Sequence, residues 1–254
     1  MSRDLHMHTV YSDGKSTAEE MILSAIDKGL DCVGISDHSH ELCDTCGMEL
    51  DQRAEYRAEI KALGEKYADR IRVLCGLERD YYSDDDDAYD YIIGAVHAIG
   101  MPDGHYISVD WRPDALKADV DCYYGGDWYA MTEAYYGLVE KVADVTRCDI
   151  IGHFDLVSKF NEQNAFFDET HPRYRAAWQR AADALLKTEK PFEINVGAIS
   201  RGYRTTPYPS EEIRTYLRER GARFLLSSDS HQPENVAFQF ERWRKLLTPE
   251  EWDG

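Results

Sequence analysis

Asp4-Leu5-His6-Met7-His8 leads through a polar stretch into Ser16-Thr17-Ala18-Glu19, then apolar Ile22, Ala25 and Ile26, then Gly29, then Cys32-Val33-Gly34-Ile35-Ser36. The order reads strand, helix, strand. Ser16-Thr17-Ala18-Glu19 is a capping-box pattern, in which hydroxyl and carboxylate satisfy the free amides of a helix start, and Gly29 suits the helix end. Short apolar runs recur down the chain at residues 4–8, 32–36, 72–78, 91–97, 149–153, 192–196 and 223–228. Seven such runs, with helical periodicity in most of the gaps, predict repeated β-α units and an α/β fold.

The helical segments carry apolar stripes. Tyr56, Ile60, Leu63 and Tyr67 share one face of the second, and Met131, Tyr135, Leu138 and Val142 share one face of a later one. A helix over 171–187 turns Ala177, Trp178, Ala181, Leu185 and Leu186 inward, and another ends before Gly221. These stripes read as core. Two stretches break the alternation. Residues 101–127 are rich in Gly, Asp, Tyr and Trp and read as an insertion covering the barrel mouth. The run Asp84-Asp85-Asp86-Asp87 reads as a solvated acidic loop.

The chain has 254 residues and 43% hydrophobic content, which suits one buried core and a single domain over 1–254. Its formal charge of −19 repels a polyanion, so nucleic acid is not the expected partner; bound divalent metals would offset part of the acidity. The start, Met1-Ser2-Arg3-Asp4, lacks the basic and apolar regions of a signal peptide. No apolar run approaches the ~20 residues of a membrane span, and the expected location is the cytoplasm. Six cysteines, Cys32, Cys43, Cys46, Cys75, Cys122 and Cys148, are too scattered for a disulfide framework. Cys43 and Cys46 form one Cys-x-x-Cys pair, for which zinc would need a second pair of ligands; none is evident, and a plain loop pair is the reading.

Histidines and carboxylates fall at the carboxyl ends of the expected strands. His6 and His8 close the first, with Asp13 beyond; Asp37 and His38 follow the second, Glu78 closes the third, His97 the fourth, His153 the fifth, and Asp229 with His231 follows the seventh. In a β-α barrel those ends meet on one face, where such enzymes build their sites. Residues two apart on a strand point the same way, so His6 and His8 can grip one ion. Burying six imidazoles with several carboxylates is costly unless cations compensate, and the constellation therefore points to metal. His40, His105 and His171 lack this placement and are expected at the surface or behind the ligands.

These motifs resemble the PHP (polymerase and histidinol phosphatase) family. The resemblance is carried by Asp4-Leu5-His6-Met7-His8-Thr9, Ser12-Asp13-Gly14, Ser36-Asp37-His38, Gly76-Leu77-Glu78, the run ending at His97, Gly152-His153-Phe154-Asp155, and Ser228-Asp229-Ser230-His231. It implies a distorted (β/α)7 barrel, similar to a TIM barrel, with three divalent metals. By matching motif, His6, His8, Glu78 and Asp229 would hold the first, and Glu78, His97 and His153 the second. Asp13, His38 and His231 would hold the third. Nitrogen and oxygen donors suit zinc, manganese or iron. Within the family the chain is similar to stand-alone histidinol phosphatases, through Glu193-Ile194-Asn195, Arg201-Gly202 and Pro207-Tyr208-Pro209-Ser210. Arg201 would then contact phosphate, with Lys159 where relatives often carry arginine; lysine supplies charge without the bidentate fork. Val196 stands where threonine or serine is expected.

The activity so implied is hydrolysis of a small phosphate monoester, histidinol phosphate, by metal-activated water. Arg201 would position phosphate, and metal-bound water, Asp229 or His231 would supply the leaving-group proton. Alternatives are a related phosphoesterase acting on a nucleotide or oligonucleotide, and a non-catalytic module of the same family. An amidohydrolase-like barrel would more often place a lysine at a strand end, and none stands there. The sequence does not choose the metal or the oligomeric state.

Overall fold

The computed structural model describes residues 2–43, 46–84 and 88–253. Seven parallel strands follow the predicted alternation. In chain order the elements are β1 (Arg3–Asp4), α1 (Ala18–Asp27), β2 (Cys32–Ile35), α2 (Arg53–Lys66), β3 (Arg72–Asp80) and β4 (Tyr91–Ala95). A hairpin of β5 (Ala98–Gly100) and β6 (Tyr106–Ser108) comes next. Then follow α3 (Pro113–Tyr124), α4 (Trp128–Val139), α5 (Val142–Thr146), β7 (Ile150–Ile151), α6 (Pro172–Leu186), β8 (Phe192–Asn195), α7 (Gly197–Ser200), α8 (Glu211–Glu219) and β9 (Phe224–Ser227). The parallel sheet runs in the order β1-β2-β3-β4-β7-β8-β9. A bridge between Met7 and Ser230 then joins its two edges, with Ser230 N donating to His6 O at 3.2 Å and His8 N donating to Ser230 O at 2.8 Å. The result is a nearly closed barrel ringed by helices.

The first strand is shorter than expected. Asp4, buried, accepts from Ser228 N at 3.0 Å and Ala237 N at 2.9 Å, so a side chain replaces part of the ladder before Met7 resumes it. The helix start is also shifted by one residue: Thr17, not Ser16, is the N-cap, and Glu20 closes the capping box. Such a cap is worth about 1 kcal/mol. Glu19 instead accepts from Tyr67 Oη at 2.5 Å and pairs with Lys66, tying α1 to the end of α2.

Period-two alternation sorts each strand between two environments. On β8 and β9, Phe192, Ile194, Phe224 and Leu226 face the outer core under the helices. Leu5, Cys32, Tyr91, Ile93, Ile150 and Leu225 form a separate apolar cluster that plugs the barrel floor. Tyr91 crosses this floor and donates to Leu5 O at 2.6 Å. Its ring passes over two glycines: a Cβ on Gly34 would lie 2.0 Å from Tyr91 Oη, and one on Gly76 would lie 2.2 Å from Cζ. Above the plug the inward positions become polar, and that is where the site lies.

Residues 101–127 do not form an irregular insertion. They complete the β5–β6 hairpin and supply α3, which starts on Pro113, buries Leu116 and Val120 and stops at left-handed Gly125. The segment does reach the mouth, through Ser108, Asp110 and Trp111. Asp85, Asp86 and Asp87 of the acidic run lie outside the described residues. Among the described residues no helix is long and apolar enough to cross a membrane.

Candidate metal centre

Glu78, on the inward face of β3 and 1% exposed, is the hub of the polar upper layer. Its Oε2 lies 3.2 Å from His6 Nε2, 3.0 Å from His38 Nδ1 and 3.5 Å from His8 Nε2. Its Oε1 lies 2.7 Å from His153 Nε2 and 3.5 Å from His97 Nε2. Asp229 Oδ1 stands 3.5 Å from His8 Nε2 and 3.6 Å from His231 Nδ1. Asp13, on the loop after β1, faces His231 Nε2 at 3.2 Å and His38 Nε2 at 3.7 Å. Strand ends separated by up to 225 residues in sequence thus deliver all nine expected side chains to one place.

Among the described residues, donor atoms of the cluster lie within 4.8 Å of one another in His6, His8 and Asp229; in Glu78, His97 and His153; in His8, Asp13, His38 and His231; and in His38, Glu41 and His97. The donor set fits divalent cations. His8 Nδ1 and Nε2 are buried without a hydrogen-bond partner among the described residues, and His6 Nε2 and His38 Nδ1 approach Glu78 Oε2 at 3.2 and 3.0 Å without hydrogen-bond geometry, which a self-sufficient polar core would not tolerate. All donors are imidazole nitrogen or carboxylate oxygen, matching zinc, manganese or iron.

The electrostatics have the same cause. Burial opposes ionisation of Glu78, but His6, His38 and His97 outweigh it and hold its carboxyl well below the usual range. Burial also opposes a charged His38, yet Glu78 and Asp13 push it up to about 10. His8 goes the other way, to about 3, through burial and then the neighbouring imidazoles of His38 and His231. Protons and carboxylates are balancing charge where cations would.

A second layer orients these groups, and sequence reading missed most of it. Glu193 Oε1 lies 2.7 Å from His6 Nδ1, while its Oε2 accepts from His153 N at 3.0 Å. Asp80 Oδ2 lies 3.3 Å from His97 Nδ1. Asp37 accepts from Thr9 N and Oγ1 at 2.7 Å each and from Ser12 Oγ at 2.5 Å, fixing the loop that carries Asp13. Such partners fix the ring orientation of ligating histidines. The signal available was spacing: Glu78 and Asp80, like Glu193 and Asn195, are two apart on a strand and so share its inner face.

A cavity of about 350 Å³ opens over the cluster. Arg201, which follows α7, lines it. Its guanidinium meets both Asp229 oxygens, at 3.2 and 3.1 Å, while its Nε is buried without a partner among the described residues. Burial and then Arg201 act in opposite directions on Asp229, and Arg201 prevails with the imidazoles, so its carboxyl stays well below the usual range. Lys159 also lines the cavity, but Nζ donates to Asp110 O at 2.7 Å and pairs with Asp110 Oδ2 at 3.3 Å, 4.9 Å from the Tyr203 ring centre. Its charge is therefore shared with Asp110. His40, His105 and His171 lie elsewhere: His40 pairs with Asp84, His105 with Asp119, and His171 caps α6.

The profile of the PHP domain family matches residues 4–197. A protein of Deinococcus radiodurans described as a probable histidinol-phosphatase is 30% identical over 93% of this chain and 89% of its own length. One from Schizosaccharomyces pombe with the same description is 26% identical over 95% and 84%. Among solved structures, a candidate histidinol phosphatase of Listeria monocytogenes superposes with a TM-score of 0.82 at 20% identity, over 95% of this chain and 100% of that one. The histidinol phosphate phosphatase of Lactococcus lactis, solved with zinc, L-histidinol and phosphate, gives 0.67 at 20% identity, over 97% and 92%. At these identities the structures speak for the fold. Family match, full-length relatives and barrel agree: this chain belongs to the PHP domain family.

Proposed function

We propose that the chain is a metal-dependent phosphomonoesterase that hydrolyses L-histidinol phosphate to L-histidinol and phosphate. The observation that carries this reading is the convergence of nine nitrogen and oxygen donors beneath a 350 Å³ cavity flanked by a guanidinium. Relatives described as histidinol-phosphatases over nearly the whole chain supply the substrate.

On this reading His6, His8, Glu78 and Asp229 hold one metal, Glu78, His97 and His153 a second, and Asp13, His38 and His231 a third. Bound divalent metals supply Lewis acidity and lower the pKa of water from ~15.7 towards ~7, making hydroxide available near neutral pH. Arg201 binds the phosphoryl oxygens with the guanidinium charge not absorbed by Asp229. Lys159 contributes less, because Asp110 already engages it. Asp229 and His231 both border the cavity where the departing alkoxide must be protonated, and water held by a bound metal is the third proton source. Arg201 Nη1 lies 2.9 Å from His231 Nδ1 and donates to it, which fixes the ring with Nε2 towards Asp13.

Phosphate release by the metal-loaded protein from histidinol phosphate and from a panel of sugar, nucleotide and amino-alcohol phosphates tests the proposal. Histidinol phosphate is expected to give the highest kcat/KM. Release from no monoester would end the catalytic reading, and a preference for nucleotides would shift it to the related phosphoesterase class.

A further inference from the structure

The Cys43-x-x-Cys46 pair lacks a second ligand pair in the sequence, but the fold brings one. Glu41 and Asp80, both buried, converge on Cys43: its Sγ lies 3.6 Å from Glu41 Oε2 and 3.9 Å from Asp80 Oδ1. With a Zn–S bond of about 2.3 Å and a Zn–O bond of about 2.1 Å at the tetrahedral angle, sulfur and oxygen ligands stand about 3.6 Å apart. The observed separations are those of adjacent corners of such a polyhedron. Donor atoms of all three residues lie within 4.8 Å of one another.

A second observation points to a cation. The Glu41 side chain is 1% exposed, and its Oε1 has no hydrogen-bond partner among the described residues; His38 Nδ1 is 3.9 Å away. Asp80 Oδ1 also accepts from Tyr82 N at 2.7 Å and its Oδ2 from His97 N at 3.0 Å, so the unsatisfied carboxylate beside the thiol is Glu41, whose burial is costly unless a positive charge joins it. Cys46 lines the mouth cavity alongside Glu41.

We propose that Glu41, Cys43 and Asp80 form an accessory site for a borderline-soft divalent cation of the zinc and cadmium class, on the flank of the main cluster. Coordination replaces the S–H bond with a sulfur–metal bond and releases the proton to solvent, with no change of oxidation state. Sulfur sets this site apart from the main centre, whose donors are nitrogen and oxygen alone. Asp80 holds His97 through Oδ2, so an ion on its other oxygen is linked to the main centre through one carboxylate.

The test uses the full-length protein with manganese in the main centre, titrated with cadmium. A sulfur-to-cadmium charge-transfer band should saturate at one cadmium per chain, disappear in Cys43→Ser and persist in Cys122→Ser, which removes the exposed thiol of α3. Glu41→Gln should weaken cadmium binding by at least about tenfold. No band, or a band that survives Cys43→Ser, overturns the proposal. A measurement independent of any variant is X-ray absorption at the zinc edge of zinc-saturated protein, where a sulfur scatterer at about 2.3 Å is expected. Nitrogen and oxygen scatterers alone would overturn it. Neither failure touches the phosphatase reading, which needs no sulfur.

Discussion

The floor of the cavity and its rim are built on different terms. The floor groups, His6, His8, Glu78 and His153, are at most 2% exposed and stand on strand ends or directly after them, so the barrel itself fixes their spacing. The rim groups, Asp110, Trp111, Lys159 and Tyr203, sit on connections, and Trp111 and Tyr203 are 65% and 46% exposed. In barrels of this kind chemistry sits on strand ends and substrate choice on the connections, which can vary without disturbing the barrel.

That contrast can be broken most directly at Glu78. Glu78→Gln removes the charge that five imidazoles face, and it should lower metal content and phosphate release together, the latter on the order of a thousandfold. Elemental analysis with initial rates checks this, and full metal content with full activity would refute the hub role. The next largest effect is on metal uptake against pH. His38, pushed up to about 10, holds a proton that an entering cation must displace, so loading releases protons and apparent affinity rises with pH. Each displaced proton is worth about tenfold per pH unit, or about a hundredfold between pH 6 and pH 8. Equilibrium titrations at the two values decide it, and equal affinities would show that no imidazole proton is exchanged. The rim should respond least. Lys159→Met is expected to raise KM up to about tenfold with kcat nearly unchanged, since Asp110 already shares its charge. A collapse of kcat would place Lys159 with the floor groups instead.

The same contrast explains what could be read in advance. The strands and the nine candidate donors were legible because β-α periodicity and short His and Asp motifs are local in sequence. Asp80 was not singled out and Glu193 was quoted only within a motif, although period-two spacing places both inside the barrel, because a lone acidic residue on a strand gives no local sign of which imidazole it meets. The cap of α1 moved by one residue because Ser16-x-x-Glu19 and Thr17-x-x-Glu20 satisfy the same pattern, and only the contact of Glu19 with α2 separates them. Helix α3 was hidden by its sparse apolar stripe, two buried residues in twelve. The Cys-x-x-Cys pair was set aside because its partners, Glu41 and Asp80, come together only through the fold.

The seam between Met7 and Ser230 has a consequence for biogenesis. It joins the earliest and the latest donor-bearing segments, so the ring around the cations is finished only when the far end of the chain returns to the beginning. A ribosome-bound fragment ending before Asp229 would hold Glu78, His97 and His153 but lack the aspartate and histidine that complete two other groupings. Those two groupings are finished only once the segment that carries Asp229 has been made and has closed the seam.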